Sequence, residues 1–174
     1  MKKTLLLAFG LCSFFGYSQI DQKNEIKANL PYFIAGIPEV SYERILDENS
    51  AVGLSVAIQL DDEWEVPFII TPYYRMYFGG EKTKTKATGF FIEADAVVAK
   101  QFITSYDDNY NYTDYSSYTT NFGFGAAVGV KLLNKNGYIG EVFGGISRVF
   151  GVDSYTTDAT DIFPRVGINI GKRF

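Results

Sequence analysis

Glu93 and Asp95 stand two residues apart in a stretch that alternates polar with apolar side chains, so they share one face and formally make an acid and base pair. Such a pair needs one carboxyl free to take and give a proton. Arg75, Lys131 and Arg165 fall on faces of the same kind, as do Glu43 and Glu141, and the seven together read better as a salt-bridged filling of a closed interior. The chain contains no histidine. That removes Ser-His triads, His-ligated metals and histidine-dependent hydrolase or acyltransferase chemistry. Gly123-Phe-Gly-Ala-Ala-Val-Gly129 has the wrong glycine spacing for a phosphate loop and no helix after it; its small residues belong to a strand. Asp107-Asp-Asn-Tyr-Asn111 opens like a calcium loop, but Tyr112 occupies the glycine position and Tyr118 the closing glutamate position. No EF-hand forms, and adventitious calcium at the acidic loop is the alternative left open. The segment from Thr104 to Thr120 holds Tyr106, Tyr110, Tyr112, Tyr115 and Tyr118 among Asp107, Asp108, Asp114 and small polar residues. Tyrosine with small polar neighbours contacts partners at low entropic cost, though the same composition equally suits a loop that shields a membrane surface. No cofactor and no metal are expected.

The N-terminus sets the compartment expected for these residues. Lys2 and Lys3 precede an apolar run from Thr4 to Gly16, and small residues follow at Gly16 and Ser18, as in a secretory signal peptide cleaved after Ser18. A signal anchor is the alternative, but the run falls short of the ~20 apolar residues a spanning helix needs. Cys12, the only cysteine, lies inside this segment, so the mature chain expected from residue 19 onward has no thiol and no disulfide. With Lys2 and Lys3 removed, 14 basic residues face 20 acidic ones, a formal charge of −6 that argues against nucleic acid as a partner. Aromatic residues make up 17% of the chain and 17 glycines accompany them, a composition of all-β proteins.

Period two is clearest where Val52, Leu54, Val56, Ile58 and Leu60 alternate with small residues. It returns over residues 121 to 132, with Phe122, Phe124, Ala126, Val128, Val130 and Leu132 opposite Gly123, Gly125, Ala127, Gly129 and Lys131. The chain ends on a third such run, with Pro164, Val166, Ile168 and Ile170 opposite Arg165, Gly167, Asn169 and Arg173. Weaker strands are expected over residues 24–35, 38–46, 67–78, 89–102 and 138–150, the last with the poorest pattern. Eight strands put both termini on one side with the turns 47–50, 79–88 and 134–137. The connections 35–37, 61–66, 104–120 and 151–160, mostly longer, fall on the other. No linker or repeat divides the chain, so residues 19–174 read as a single domain.

Alternation alone leaves open whether the apolar face meets lipid or a protein core, as in a soluble lipocalin-like barrel. Runs of ten residues match the ~9–11 of a tilted transmembrane strand, and a Gly- and Ala-rich opposite face suits a narrow interior. Tyr32, Phe68, Phe78, Phe90, Phe102, Phe122 and Tyr138 recur near strand ends, where interfacial aromatic girdles form. Two residues run against this pattern. Pro72 implies a bulge or break in mid-strand, and Arg44 falls on the apolar face near a turn, from which it can snorkel.

An export signal, amphipathic strands, short turns beside the termini and the last strand Arg165-Val-Gly-Ile-Asn-Ile-Gly-Lys-Arg-Phe174 resemble the small outer-membrane barrels of the OmpA and OmpX type. The resemblance covers the whole mature chain. Pro38-Glu-Val-Ser-Tyr-Glu-Arg-Ile-Leu46 and Thr71-Pro-Tyr-Tyr-Arg-Met-Tyr-Phe78 are similar to strands of a family of small Gram-negative barrels to which no activity is attached. The resemblance implies an eight-stranded antiparallel up-and-down transmembrane barrel in the outer membrane, with Phe174 read by the outer-membrane assembly machinery. It also implies lipid and lipopolysaccharide as neighbours, and a structural or surface-interaction role without catalysis. The alternatives are a narrow channel or small-ligand carrier, and the soluble binding barrel.

Overall fold

Alternation closes on itself in the computed structural model, which describes residues 22–60, 68–78, 86–104, 116–150 and 162–174, without the side chains of 101–104 and 116–119. The strands are β1 (Asn24–Asn29), β2 (Glu39–Ile45), β3 (Ser50–Ile58), β4 (Phe68–Phe78), β5 (Gly89–Thr104), β6 (Ser116–Leu133), β7 (Tyr138–Phe150) and β8 (Ile162–Arg173), with one short helix, α1 (Leu30–Ile34). Each strand pairs with its neighbour in sequence, and β8 returns to β1, giving a closed barrel of eight strands. Every pairing is antiparallel. Closure leaves no edge strand to recruit other chains. The last residue takes part: Phe174 N–H donates to Asn24 O at 2.8 Å and its carbonyl accepts from Asn24 N–H at 3.0 Å.

The two-residue period sorts every strand into an inner and an outer face. Ala51, Tyr73, Tyr77, Phe91, Ala127 and Phe143 point inward and are buried, while Val52, Leu54, Met76, Ile92, Val128, Ile146 and Ile168 point outward and are exposed. Eight strands enclose a space only wide enough for side chains. Glycines make that filling possible. Tyr73 lies over its cross-strand neighbour Gly53, and Phe143 lies between Gly129 and Gly167, where an added Cβ would meet the rings. The turn after β6 is set by Asn134, whose Oδ1 accepts the N–H groups of Asn136 and Tyr138 at 2.9 Å each, and by Gly137 at φ 83°.

Two boundaries differ by more than two residues from the sequence reading. The first strand, expected over residues 24–35, ends at Asn29, because Pro31 within the first two positions of α1 presets a helical φ and has no N–H for a ladder. Gly36 at φ 77° then turns the chain toward β2. Tyr32, expected on the apolar face of a strand, therefore sits on α1, with its hydroxyl donating to Pro164 O at 3.3 Å. The expected loop 104–120 is shorter than drawn, since Ser116–Thr120 belongs to β6 and pairs with Thr104–Lys100. Tyr118 is thus a strand residue opposite Phe102. At Pro72 the β4–β5 ladder passes from Ile70↔Val98 to Tyr73↔Asp95 with no change of register, so the proline makes a break and no bulge. The β3 side is intact, with Leu54 opposite Pro72. Arg44 points outward and donates to Asn24 Oδ1 at 2.6 Å. The expected signal peptide, residues 1–18, lies outside the described residues. Among those described, no helix is long and apolar enough to cross a membrane, which says nothing of strands.

Candidate functional site

Inward parity on seven of the eight strands collects charge in the lumen, and β3 contributes none. The buried ionisable side chains described there are Glu25, Glu39, Glu43, Glu93, Asp95 and Glu141 against Lys27, Arg75, Lys131, Arg165 and Arg173. A buried charge is tolerated only where opposite charge and hydrogen bonds replace its water. At the centre, Arg75 gives Nε to Glu93 at 2.6 Å and Nη1 to both Glu43 at 2.9 Å and Glu141 at 2.7 Å. Lys27 bridges the same Glu43 at 2.6 Å and Glu141 at 3.0 Å from the other side. Tyr77 and Tyr73 hydroxyls also donate to Glu43, at 2.7 and 3.2 Å. The Arg75 guanidinium packs over the rings of Phe91 and Tyr73, 4.2 and 4.5 Å from their centroids.

Toward the turn side, Lys131 Nζ donates to Glu43 and, at 2.7 Å, to Glu25. Arg173 grips Glu25 Oε1 through Nε at 2.8 Å and Nη2 at 2.6 Å, and donates to the Lys86 and Ala87 carbonyls. Toward the loop side, Arg165 joins Glu93 at 3.1 Å to Glu39 at 2.9 Å, and Asn29 donates to Glu39 at 2.7 Å. Asn169 completes Glu141 at 2.8 Å.

Asp95 is the exception. Its Oδ1 accepts from Ser147 Oγ at 2.7 Å, and its Oδ2 is buried with no hydrogen-bond partner. The Ser147 contact crosses a whole strand: Asp95 on β5 and Ser147 on β7 both face Gly125 on β6. A Cβ on Gly125 would fall on Ser147 Oγ and on the backbone carbonyl of Ile146, so only glycine lets the two side chains meet. Among the described residues, Asn29 Oδ1 is the other buried side-chain acceptor without a donor.

Of the residues singled out from the sequence, Glu43, Arg75, Glu93, Lys131, Glu141 and Arg165 meet in one network, while Asp95 stands beside it. Glu25, Lys27, Glu39, Arg173, Tyr73 and Tyr77 belong to the same filling and were missed as site residues. Their parity marks them: with Ile26 and Ala28 outward, Glu25 and Lys27 must point in. Tyr106, Asp107, Asp108, Tyr110, Tyr112, Asp114 and Tyr115 lie outside the described residues. Phe174 sits at the seam where β8 meets β1. Among the described residues, no group of three or more acidic or thiol side chains is arranged to hold a metal ion. The fold and lumen define a closed antiparallel up-and-down barrel of eight strands with a charged interior. Comparison with family models, curated proteins and solved structures finds no match.

Proposed function

We propose that the chain is an exported outer-membrane β-barrel of the small OmpA- and OmpX-like type, with a structural or surface-interaction role and no catalysis. The observation that carries this reading is inverted polarity. Every strand presents apolar side chains outward, among them Ile26, Tyr42, Leu54, Met76, Ile92, Phe124, Ile146 and Ile168, while the interior holds six carboxylates and five cations among the described residues. A soluble binding barrel has the opposite arrangement, with an apolar lumen and a polar exterior. Exposed apolar surface on all sides of a monomer is unstable in water and is what a hydrocarbon environment rewards. The segment Met1–Ser18 supports export, and the turn and loop lengths support the topology of such barrels.

Against catalysis stands the state of three of the carboxylates: Glu43, Glu93 and Glu141 are each held by two or more donors, so none of these three is a poised base. Against a channel stands Arg75, which spans the lumen centre between three carboxylates. The test is expression in a Gram-negative host, followed by fractionation and gel electrophoresis with and without boiling. The protein is expected in outer membranes, with a heat-modifiable band and no steady conductance in planar bilayers. A monomer soluble without detergent would overturn the membrane reading, and reproducible single-channel steps would overturn the plugged lumen.

A further inference from the structure

β8 runs from Ile162 to Arg173, yet its pairing with β1 stops where Asn169 meets Asn29. Toward the loops, residues 162–168 of β8 therefore have a strand neighbour only on the β7 side among the described residues. On the other side lies α1. Pro164 suits such an edge. It shares the parity of Phe174, whose backbone groups pair with Asn24, so its missing N–H faces α1 and leaves no donor unpaired. Two side-chain hydrogen bonds cross the join: Asn29 Nδ2 donates to Val166 O at 3.1 Å, and the Tyr32 hydroxyl donates to Pro164 O at 3.3 Å. Among the described residues no backbone hydrogen bond joins α1 to β8. The turn of α1 is closed within itself, with Ala35 N–H donating to Pro31 O at 3.0 Å and Ile37 N–H to Tyr32 O at 2.9 Å.

The two sides of this join match in chemistry. Outside, Leu30, Phe33 and Ile34 are exposed, Ile34 at 89%. Inside, Ala57, Ile69, Val97 and Ala99 form an apolar cluster with Ile37 and Phe163 packed against it. Tyr32 stands between, lining with Phe163 and Pro164 a cavity of about 10 Å³, room for one water molecule. Glu39 and Arg165, ion-paired at 2.9 Å, bound the same cavity and link it to the charge network. As it stands the cavity takes nothing larger. Moving Tyr32 outward with α1 adds the room of a phenol ring and opens that room to the outer surface.

We propose that α1 is a lateral stopper in the barrel wall, and that its outward displacement admits the end of one lipid acyl chain from the bilayer into the loop-side lumen. This inference rests on the outer face meeting hydrocarbon. An acyl chain fits because it arrives from the side across apolar surface, asks no hydrogen bond of the apolar cluster and stops where the ion pair begins. Backbone outside a helix or a closed sheet is costly in hydrocarbon, and α1 keeps its own bonds whether docked or displaced. Its two ends are anchored: Asn29 is the last paired residue of β1, and Gly36, at φ 77°, accepts from Leu60 N–H at 3.0 Å. Between such anchors the swing breaks the Tyr32 bond and leaves the Asn29 bond in place. A chain that binds only the displaced form then shifts the population toward it.

The probe is palmitate carrying a diazirine on its terminal carbon, irradiated with the refolded barrel in detergent micelles, and the labelled residues are read by mass spectrometry. Label should appear on inward Ile69, Val97 and Phe163 as well as on outward Ile70, Val98 and Ile162. Tyr32→Phe removes the hydroxyl that closes the join and should raise the inward label severalfold. Ala57→Leu fills the cluster and should remove it, and both variants should keep the outward label and the heat-modifiable band. Excess phospholipid should compete the inward label away. Inward residues without label in both the wild type and Tyr32→Phe would overturn the proposal. So would undiminished inward label in folded Ala57→Leu, or inward label that excess phospholipid leaves in place. Absence of the outward label would overturn the membrane reading beneath it, so the two failures are told apart.

Discussion

Gly125 and Gly129 lie on the same inward face of β6, and what crosses above them differs. Over Gly129, toward the turn side, the ring of Phe91 and the Cβ of Phe143 approach from the two neighbouring strands. Over Gly125, toward the loop side, a carboxylate and a hydroxyl meet instead. The turn-side half continues as Tyr77, Ala51, Ile45 and Ala87 packed with Phe91 and Phe143, and as Glu25 bridged by Lys131 and Arg173, whereas the loop-side half keeps the unmatched acceptors of Asp95 and Asn29. Small residues on one strand thus create the same opening twice. One is closed by packing and charge pairing, and the other is left with chemistry to spare. A plugged barrel need not be plugged evenly.

The largest expected loss falls at the centre of the lumen, where the charges are most densely bridged. Arg75→Ala removes the guanidinium shared by Glu43, Glu93 and Glu141 and strands buried carboxylates, which should cost about 3–5 kcal/mol. Urea unfolding of the detergent-refolded barrel measures it. A loss below about 1 kcal/mol would mean that water already enters the centre of the lumen.

A smaller effect separates the inner face from the outer. Gly125→Ala places a methyl group on Ser147 Oγ and the Ile146 carbonyl, an overpacking worth about 1–3 kcal/mol. Gly140→Ala on the outer face of β7 meets nothing within 4 Å and should leave stability unchanged. Equal unfolding midpoints for the two variants would refute the inward placement of β6.

How much of this was legible depends on how far apart in sequence the cause lies. Val52 to Ile58 and Val166 to Ile170 declare their faces by local alternation, and the barrel follows from repeating that pattern around a closed sheet. In β7, Gly140 and Gly144 occupy outward positions where the pattern calls for apolar side chains, which is why its period reads poorly. The end of β1 was misread because Leu30, Tyr32 and Ile34 keep period two while Pro31 dictates a helical turn. Interior membership could be read from parity, as for Glu93 and Arg165. The choice of partner could not, since Asp95 meets Ser147 across 52 residues of chain, and only the register of β5, β6 and β7 brings them together.

At the loop side the expected cost is smaller still. Asp95→Asn keeps an acceptor for Ser147 and removes a carboxylate that no described cation bridges, so it should change stability by less than about 1 kcal/mol. The same unfolding assay checks it against Arg75→Ala. If the two variants lose comparable stability, Asp95 belongs to the central network and the contrast between the halves disappears.

The smallest effect lies outside the lumen, where water rather than protein balances the charge. Asp47 is exposed in the turn between β2 and β3, accepting from Ser50 Oγ at 2.6 Å and from Asn49 N–H at 2.8 Å. The Ser50 hydroxyl, helped by the Asn49 amide, holds its carboxyl below the ordinary value of 3.8. A carboxyl whose value is lower in the folded than in the unfolded chain adds stability that is complete above the unfolded value and is lost as pH falls through the folded one. The wild type should therefore exceed Asp47→Asn slightly at pH 6, and the gap should close as the pH drops below about 3.8. Unfolding midpoints of the two proteins, taken side by side across that window, read the difference directly. Because solvent screens the site, the gap should also shrink with added salt, while the loss in Arg75→Ala, buried in the lumen, should not. A gap that stays constant down to about pH 2 would show that the turn is held by its backbone alone, and that Asp47 acts through its shape and not its charge.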